Sequence, residues 1–237
     1  MDTIEKRLQA VKSRIARACA AAGRDPRDIV LVAVSKTFPA DAVRAAHAAG
    51  QSDFGENHAQ DAVAKIAALG DLDLVWHFIG PVQSNKTRSI AEHFAWVHSI
   101  DRLKIAERLA AQRPEALPPL QACIQVNVSG EATKSGVAPA EAPALARAVA
   151  ALPRLRLRGL MAIPEPTDDP ALQRRRFESL RDLRDRLAAD GLALDTLSMG
   201  MSDDLEAAIA AGATMVRVGT AIFGARSGSA LSAIIGR

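Results

Sequence analysis

Apolar positions in the first two dozen residues fall at helical spacing. Ile4, Leu8, Val11, Ile15 and Ala18 recur every three or four places among charged neighbours, which predicts an amphipathic N-terminal helix. After it the period changes. Short apolar runs at Ile29–Ser35, Ser52–Gly55, Leu74–Ile79, Ala95–Ser99, Gln121–Val128, Arg156–Ala162, Asp195–Met199 and Thr214–Val218 read as strands, with helical patterns filling every gap. Start and stop signals bracket those helices. Pro39 opens one and Gly50 closes it; Ser202, followed by Asp203 and Asp204, reads as the N-cap of another that Gly212 ends. "AAHAAGQSDFGEN" and "AAIAAGATMVRVG" share one layout: a helix end, Ala-Ala-Gly, two residues and a strand.

Strands buried on both faces and separated by helices imply a parallel sheet. Eight such units predict one α/β domain over residues 1–237, a (β/α)8 TIM-type barrel with an additional N-terminal helix. A doubly wound open sheet is the alternative, but "SKTFP" follows the first strand where a G-x-G-x-x-G turn belongs. Composition agrees with a sizeable core, at 49% hydrophobic and 24% charged residues. The net charge of +3 is spread along helical stretches such as "LQRRRFESLRDLRDRLA", and only 3% of residues are aromatic. A nucleic-acid groove pairs charge with stacking surface, so no nucleic acid is expected as partner. Neither a signal-type start nor a run of 18 uncharged apolar residues is present, so no membrane partner and a cytoplasmic location are expected. Cys19 and Cys123 read as buried reduced thiols rather than a disulfide or metal site.

The chemistry gathers where a barrel keeps its active site, at the C-terminal ends of the strands. Side chains alternate along a strand, so Val30, Val32, Val34 and Lys36 share one face. If that face is the interior, Lys36 caps a column of valines at the mouth. It is then either a lysine that has reached solvent at a strand end or a desolvated amine able to attack a carbonyl. Strand seven ends "LSMGMS" and strand eight runs into "VRVGTAIFGAR", the two loops that often hold phosphate in barrels. Gly219 permits close backbone approach, and Ser198 and Thr220 offer hydroxyls. Arg217, between two valines, needs a partner when buried, either a structural ion pair or a ligand. A lysine and a phosphate site in one barrel fit two chemistries: a phosphorylated carbonyl substrate, as in a class I aldolase, or the phosphorylated aldehyde cofactor pyridoxal phosphate.

The motifs "VAVSKTFP", "DFGENHAQ", "WHFIGPVQSNK", "SIDR", "QVNVSGEATKSG", "GLMAIPEP" and "LSMGMSDDLEAAIAAGATMVRVGTAIFGAR" follow one another from about Ile29 to Arg226. In that order they resemble the pyridoxal-phosphate homeostasis protein family, whose barrel is similar to that of alanine racemase and the fold-type III enzymes. The resemblance implies pyridoxal 5'-phosphate as cofactor, carried as a Lys36 aldimine. It implies that Ser198, Gly219 and Thr220 hold the phosphate, that Asn57 lies beside the ring and that Arg217 faces the pyridine nitrogen. His77, in "WHFIG", is expected near the pocket, with a core histidine as the alternative. Lys134 and Gly136 match "KSG" without an assigned role, and His58 stands where family members often carry tyrosine. The implied function is vitamin B6 and amino-acid homeostasis without catalytic turnover, the cofactor passing to apo-enzymes that accept it. A weak amino-acid racemase or lyase is the alternative. The chain contains no tyrosine and ends soon after the eighth strand, so a racemase mechanism built on a tyrosine from a C-terminal domain is not expected, and a monomer is.

Overall fold

The computed structural model describes residues 3–130 and 135–224; Lys134 and the end of the last motif lie outside them. The chain begins with α1 (Ile4–Ala21), then alternates β1 (Val30–Val34), α2 (Ala40–Ala48), β2 (Asp53–Glu56), α3 (Ala59–Ala68), β3 (Val75–Phe78), α4 (Thr87–His93) and β4 (Trp96–Ile100). It continues through α5 (Leu103–Gln112), β5 (Leu120–Gln125), α6 (Ala142–Ala150), β6 (Leu155–Met161), α7 (Pro170–Ala189), β7 (Thr196–Ser198), α8 (Leu205–Ala210), β8 (Met215–Val218) and α9 (Thr220–Phe223). The strands form a closed parallel barrel in sequence order, with β1 paired to both β2 and β8. Every expected strand is present. The fifth is shorter than its apolar run: past Gln125 the Val126 N–H still donates to Met161 at 2.9 Å, but Val126 otherwise makes only an isolated bridge to Val137.

Ser202 does not cap α8. Asp204 occupies the N-cap, two residues later, and its Oδ1 accepts the Met201 N–H at 2.6 Å, which leaves Ser202 in the preceding loop. Gly212, at φ +104°, closes that helix as expected.

Alternation sorts the core into two layers. Leu31, Ala33 and Phe54 pack outward against the helices, while Val30 joins Trp96, Cys123, Met161 and Met215 inside. The inward columns, read from floor to mouth, are Val30–Val32–Val34–Lys36, Asp53–Gly55–Asn57, Val75–His77–Ile79 and Met215–Arg217–Gly219. Gly55 makes room between columns: a Cβ there would lie 3.1 Å from Val32 Cγ1 and 3.2 Å from Ile79 Cδ1. Both cysteines are free and buried, and burial pushes the Cys123 thiol up to about 12.

α1 packs against α2, α8 and α9. Arg7 Nε donates to the Ile222 carbonyl at 2.8 Å, and Arg14 reaches the Ser202 carbonyl at 3.0 Å while pairing with Glu206 at 2.9 Å. The N-terminal helix thereby fastens the loops that follow β7 and β8. Among the described residues no helix is long and apolar enough to cross a membrane, and no cluster of potential metal ligands is present.

Candidate functional site

A cavity of about 450 Å³ opens at the C-terminal ends of the strands, lined by Lys36, Asn57, Arg217, Gly219 and Thr220 among others. Five of the seven residues singled out in the sequence therefore meet in one space. A second hollow of about 330 Å³ lies on the other side of Lys36, between Phe38 and Gly224.

Lys36 stands one residue beyond Ser35, past the end of β1, and is exposed. It stands beyond the last strand residue at the open mouth, where solvent reaches it. Among the described residues Lys36 has no hydrogen-bond or ion-pair partner. Its backbone is fixed nonetheless. Ser35 N–H donates to Gly55 at 3.0 Å, and its carbonyl accepts from Phe38 N–H at 3.0 Å and Lys65 Nζ at 2.9 Å. Ser35 Oγ donates to Glu56 Oε1 at 2.6 Å, and Lys65 Nζ meets that same oxygen at 2.6 Å. Glu56 and Lys65 form an ion pair with side chains only 2% and 9% exposed. Thr37 follows at φ +68°, a left-handed conformation that costs a β-branched residue on the order of 1–3 kcal/mol. The Phe38–Phe223 stack, with ring centroids 5.1 Å apart, closes this turn against α9.

Asn57 ends the inward column of β2. Its Oδ1 is buried and has no hydrogen-bond partner, an orphan acceptor at the cavity wall. Gly80 presses against it from the β3 loop, where a Cβ would fall 2.4 Å from the Asn57 carbonyl oxygen. Gly219 approaches β1 closely, its Cβ position lying 3.2 Å from the Val34 carbonyl oxygen.

Arg217 is 3% exposed, and its two side-chain hydrogen bonds go to neutral oxygens, Ser198 Oγ at 2.6 Å and Ala162 O at 2.9 Å. Burial pulls the guanidinium down to about 10, against the upward pull of the Asp204 carboxylate. It is a buried cation facing the cavity, not the ion pair that was one of the two sequence readings.

The other two residues lie elsewhere. Ser198 is fully buried inside the barrel, its hydroxyl engaged with His98 and Arg217, and it does not line the cavity. Four residues further on, Ser202 does line it, along with Met201 and Asp203. His77 is also fully interior: it bonds Asp53 and His98 and stacks on Trp96 at 5.6 Å. The core-histidine reading describes its surroundings. His58 is exposed and lines a smaller neighbouring cavity rather than the mouth.

The closed parallel barrel matches the family of the alanine racemase N-terminal domain over residues 7–227. The barrel overlays alanine racemase from Corynebacterium glutamicum with a TM-score of 0.66 at 19% identity, covering 92% of this chain and 62% of that one, a likeness of fold. Within this class the chain belongs to the pyridoxal phosphate homeostasis protein family. It is 66% identical to the protein of that name from Pseudomonas aeruginosa, across 95% of this chain and 97% of the relative, and 56% identical to that of Escherichia coli K12, across 95% and 98%. The structure of PipY from Synechococcus elongatus with PLP bound matches with a TM-score of 0.78 at 41% identity, covering 89% of this chain and all of that one.

Proposed function

We propose that this chain binds pyridoxal 5'-phosphate at the barrel mouth, holds it covalently through Lys36 and acts in the cytoplasm as a monomeric carrier serving vitamin B6 and amino-acid homeostasis. One observation carries the reading: Lys36, Asn57, Arg217, Gly219 and Thr220 share a single cavity in a chain of this family. The residues fit the group. A partner-free amine is available to an aldehyde, and the orphan Asn57 Oδ1 awaits a donor. The hydroxyls of Thr220 and Ser202, with the Gly219 backbone, would offer hydrogen bonds to a phosphate, and Arg217 would supply a fixed cation to the ring. Ser198 contributes behind Arg217 rather than at the phosphate. When bound, the cofactor supplies an aldehyde that an amine can capture and an incoming amine can release.

Holding, rather than turnover, is favoured by the tyrosine and histidine inventory; the acidic side chain on the cavity wall is Asp203. The chain has no tyrosine, His58 lines the neighbouring cavity, and His77 and His98 have both ring nitrogens engaged inside the barrel. A cation at the ring nitrogen also opposes the protonation that would make the cofactor a strong electron sink. Apo-enzymes that accept the cofactor are the partners this role requires.

The test is a visible absorption spectrum of the purified protein before and after borohydride, with peptide mapping of the reduced adduct. A yellow protein labelled on Lys36 is expected; a colourless chain that stays unlabelled after pyridoxal phosphate is added refutes the proposal. Turnover of an amino acid that disappears in Lys36→Ala would instead establish a weak racemase or lyase.

Gly80→Ala should act on the same site from behind. The added methyl meets backbone atoms of Asn57 that cannot yield, so stability should fall by about 1–3 kcal/mol and pyridoxal phosphate uptake should weaken. Urea unfolding and an absorbance titration check the two effects separately.

A further inference from the structure

Hydrogen bonds cross the barrel interior from mouth to floor. Arg217 Nη1 lies 2.6 Å from Ser198 Oγ, which lies 2.7 Å from His98 Nδ1. His98 Nε2 lies 3.0 Å from His77 Nδ1, and His77 Nε2 lies 2.9 Å from Asp53 Oδ1. The first four residues are at most 3% exposed, whereas the Asp53 side chain is 28% exposed at the start of β2, on the floor.

The two ends fix the direction. A guanidinium only donates, and an ionised carboxylate only accepts. With one hydrogen in each bond, Arg217 donates to Ser198, Ser198 to His98 Nδ1, His98 Nε2–H to His77 Nδ1, and His77 Nε2–H to Asp53. Both imidazoles are then neutral and protonated on Nε2. The rival arrangement adds a proton to His77 and makes His98 donate to Ser198. That leaves the Ser198 hydroxyl hydrogen without an acceptor, since both its partners become donors, and it charges a fully buried ring. Burial holds His77 below the ordinary imidazole range, outweighing the opposing pull of Asp53. Burial, then His77 and Arg217, hold His98 well below it.

We propose that Asp53, His77 and His98 are positioning residues for Arg217, aiming its guanidinium at the mouth and supplying a counter-charge from the floor through a one-way chain of neutral groups. Other titratable groups face the same interior, the Cys123 thiol among them uncharged because burial pushes it up to about 12. Asp204 acts on Arg217 from the start of α8 and Cys123 from β5. Arg158 sits over the Trp96 ring at 5.2 Å but is paired with Asp195 at 2.6 Å. Asp204 is the carboxylate that acts on Arg217 directly, and Asp53 is the one that the hydrogen-bonded chain reaches. The effect on a cofactor rests on the proposed function; the chain itself belongs to the unloaded protein.

Two measurements test it. Long-range proton–nitrogen spectra of the unloaded, histidine-labelled protein should show His77 and His98 neutral at pH 7, with Nε2 protonated and Nδ1 bare. A protonated Nδ1 on either ring overturns the proposal. The second uses Asp53→Asn, which keeps an acceptor for His77 and removes the charge. Loaded with pyridoxal phosphate, the variant should keep both tautomers while the pH midpoint of its visible band moves down by about one unit, tenfold in the proton equilibrium. An unmoved midpoint overturns the counter-charge. If Asp53→Asn does not fold, the wild-type ring spectra decide. If the wild type takes up no cofactor, the proposed function fails while those spectra still decide the chain.

Discussion

Replacing Lys36 with alanine is expected to abolish the yellow colour and the borohydride-stable pyridoxyl label while leaving the fold intact. The side chain is exposed and has no bonded partner among the described residues, so its removal should change stability by less than about 0.5 kcal/mol. The backbone at this point does not depend on it, because Ser35, one residue earlier, is held by β2, Glu56 and Lys65. What remains in the variant is non-covalent contact with Asn57, Arg217 and the β8 loop, which should retain the cofactor only weakly. Intact mass after reduction, absorption and thermal melting measure label, colour and fold in one preparation. A full-strength label on Lys36→Ala would move the anchor to another amine.

The largest loss of stability should come from Glu56→Gln. Glu56 and Lys65 are an ion pair almost out of water, and the carboxylate also accepts from the Ser35 hydroxyl. Removing one partner of a buried pair leaves the other charge without compensation, at a cost of about 3–5 kcal/mol. The pair need not be a large net gain, since two charges lose their hydration to form it. Glu56→Gln with Lys65→Met should therefore recover most of the loss. Urea midpoints of the single and double variants give the coupling directly. A single variant as stable as the wild type would mean that water reaches Lys65. The same variant should loosen the turn that carries Lys36, lowering cofactor retention as well.

Much of this architecture was legible because strands buried on both faces are written as apolar runs, and alternation along the first run puts Lys36 at the barrel mouth. Arg217 announced itself in the same way, as a charge between two valines. His98 carried an equivalent signal, a polar side chain inside the apolar run "WVHSI", and Glu56 another at the end of "DFGE". Neither could be interpreted from its own strand. Whether His98 meets Ser198, a hundred residues away, depends on the stagger of strands around the ring, which no local pattern encodes. The surroundings of Ser198 and Ser202 are hidden in the sequence for a related reason. Both are hydroxyls at the end of strand seven, but β7 stops at Ser198 with its side chain turned inward, and Asp204 takes the cap that Ser202 was expected to provide. The exposure of Lys36 depends on a left-handed threonine, a conformation that sequence disfavours and tertiary packing imposes.

Lys36 follows the first strand and Arg217 lies on the last, about 180 residues later, yet β1 and β8 are neighbours in the ring. The site thus straddles the seam at which the circle of strands is closed. During synthesis the lysine emerges early and waits; nothing opposite it exists until nearly the whole chain has been made. A ligand gripped from both sides of that seam would work as a clasp, stabilising the closed form by RT ln(1 + [L]/Kd) and acting on no partly closed one. Cofactor occupancy would then count finished barrels.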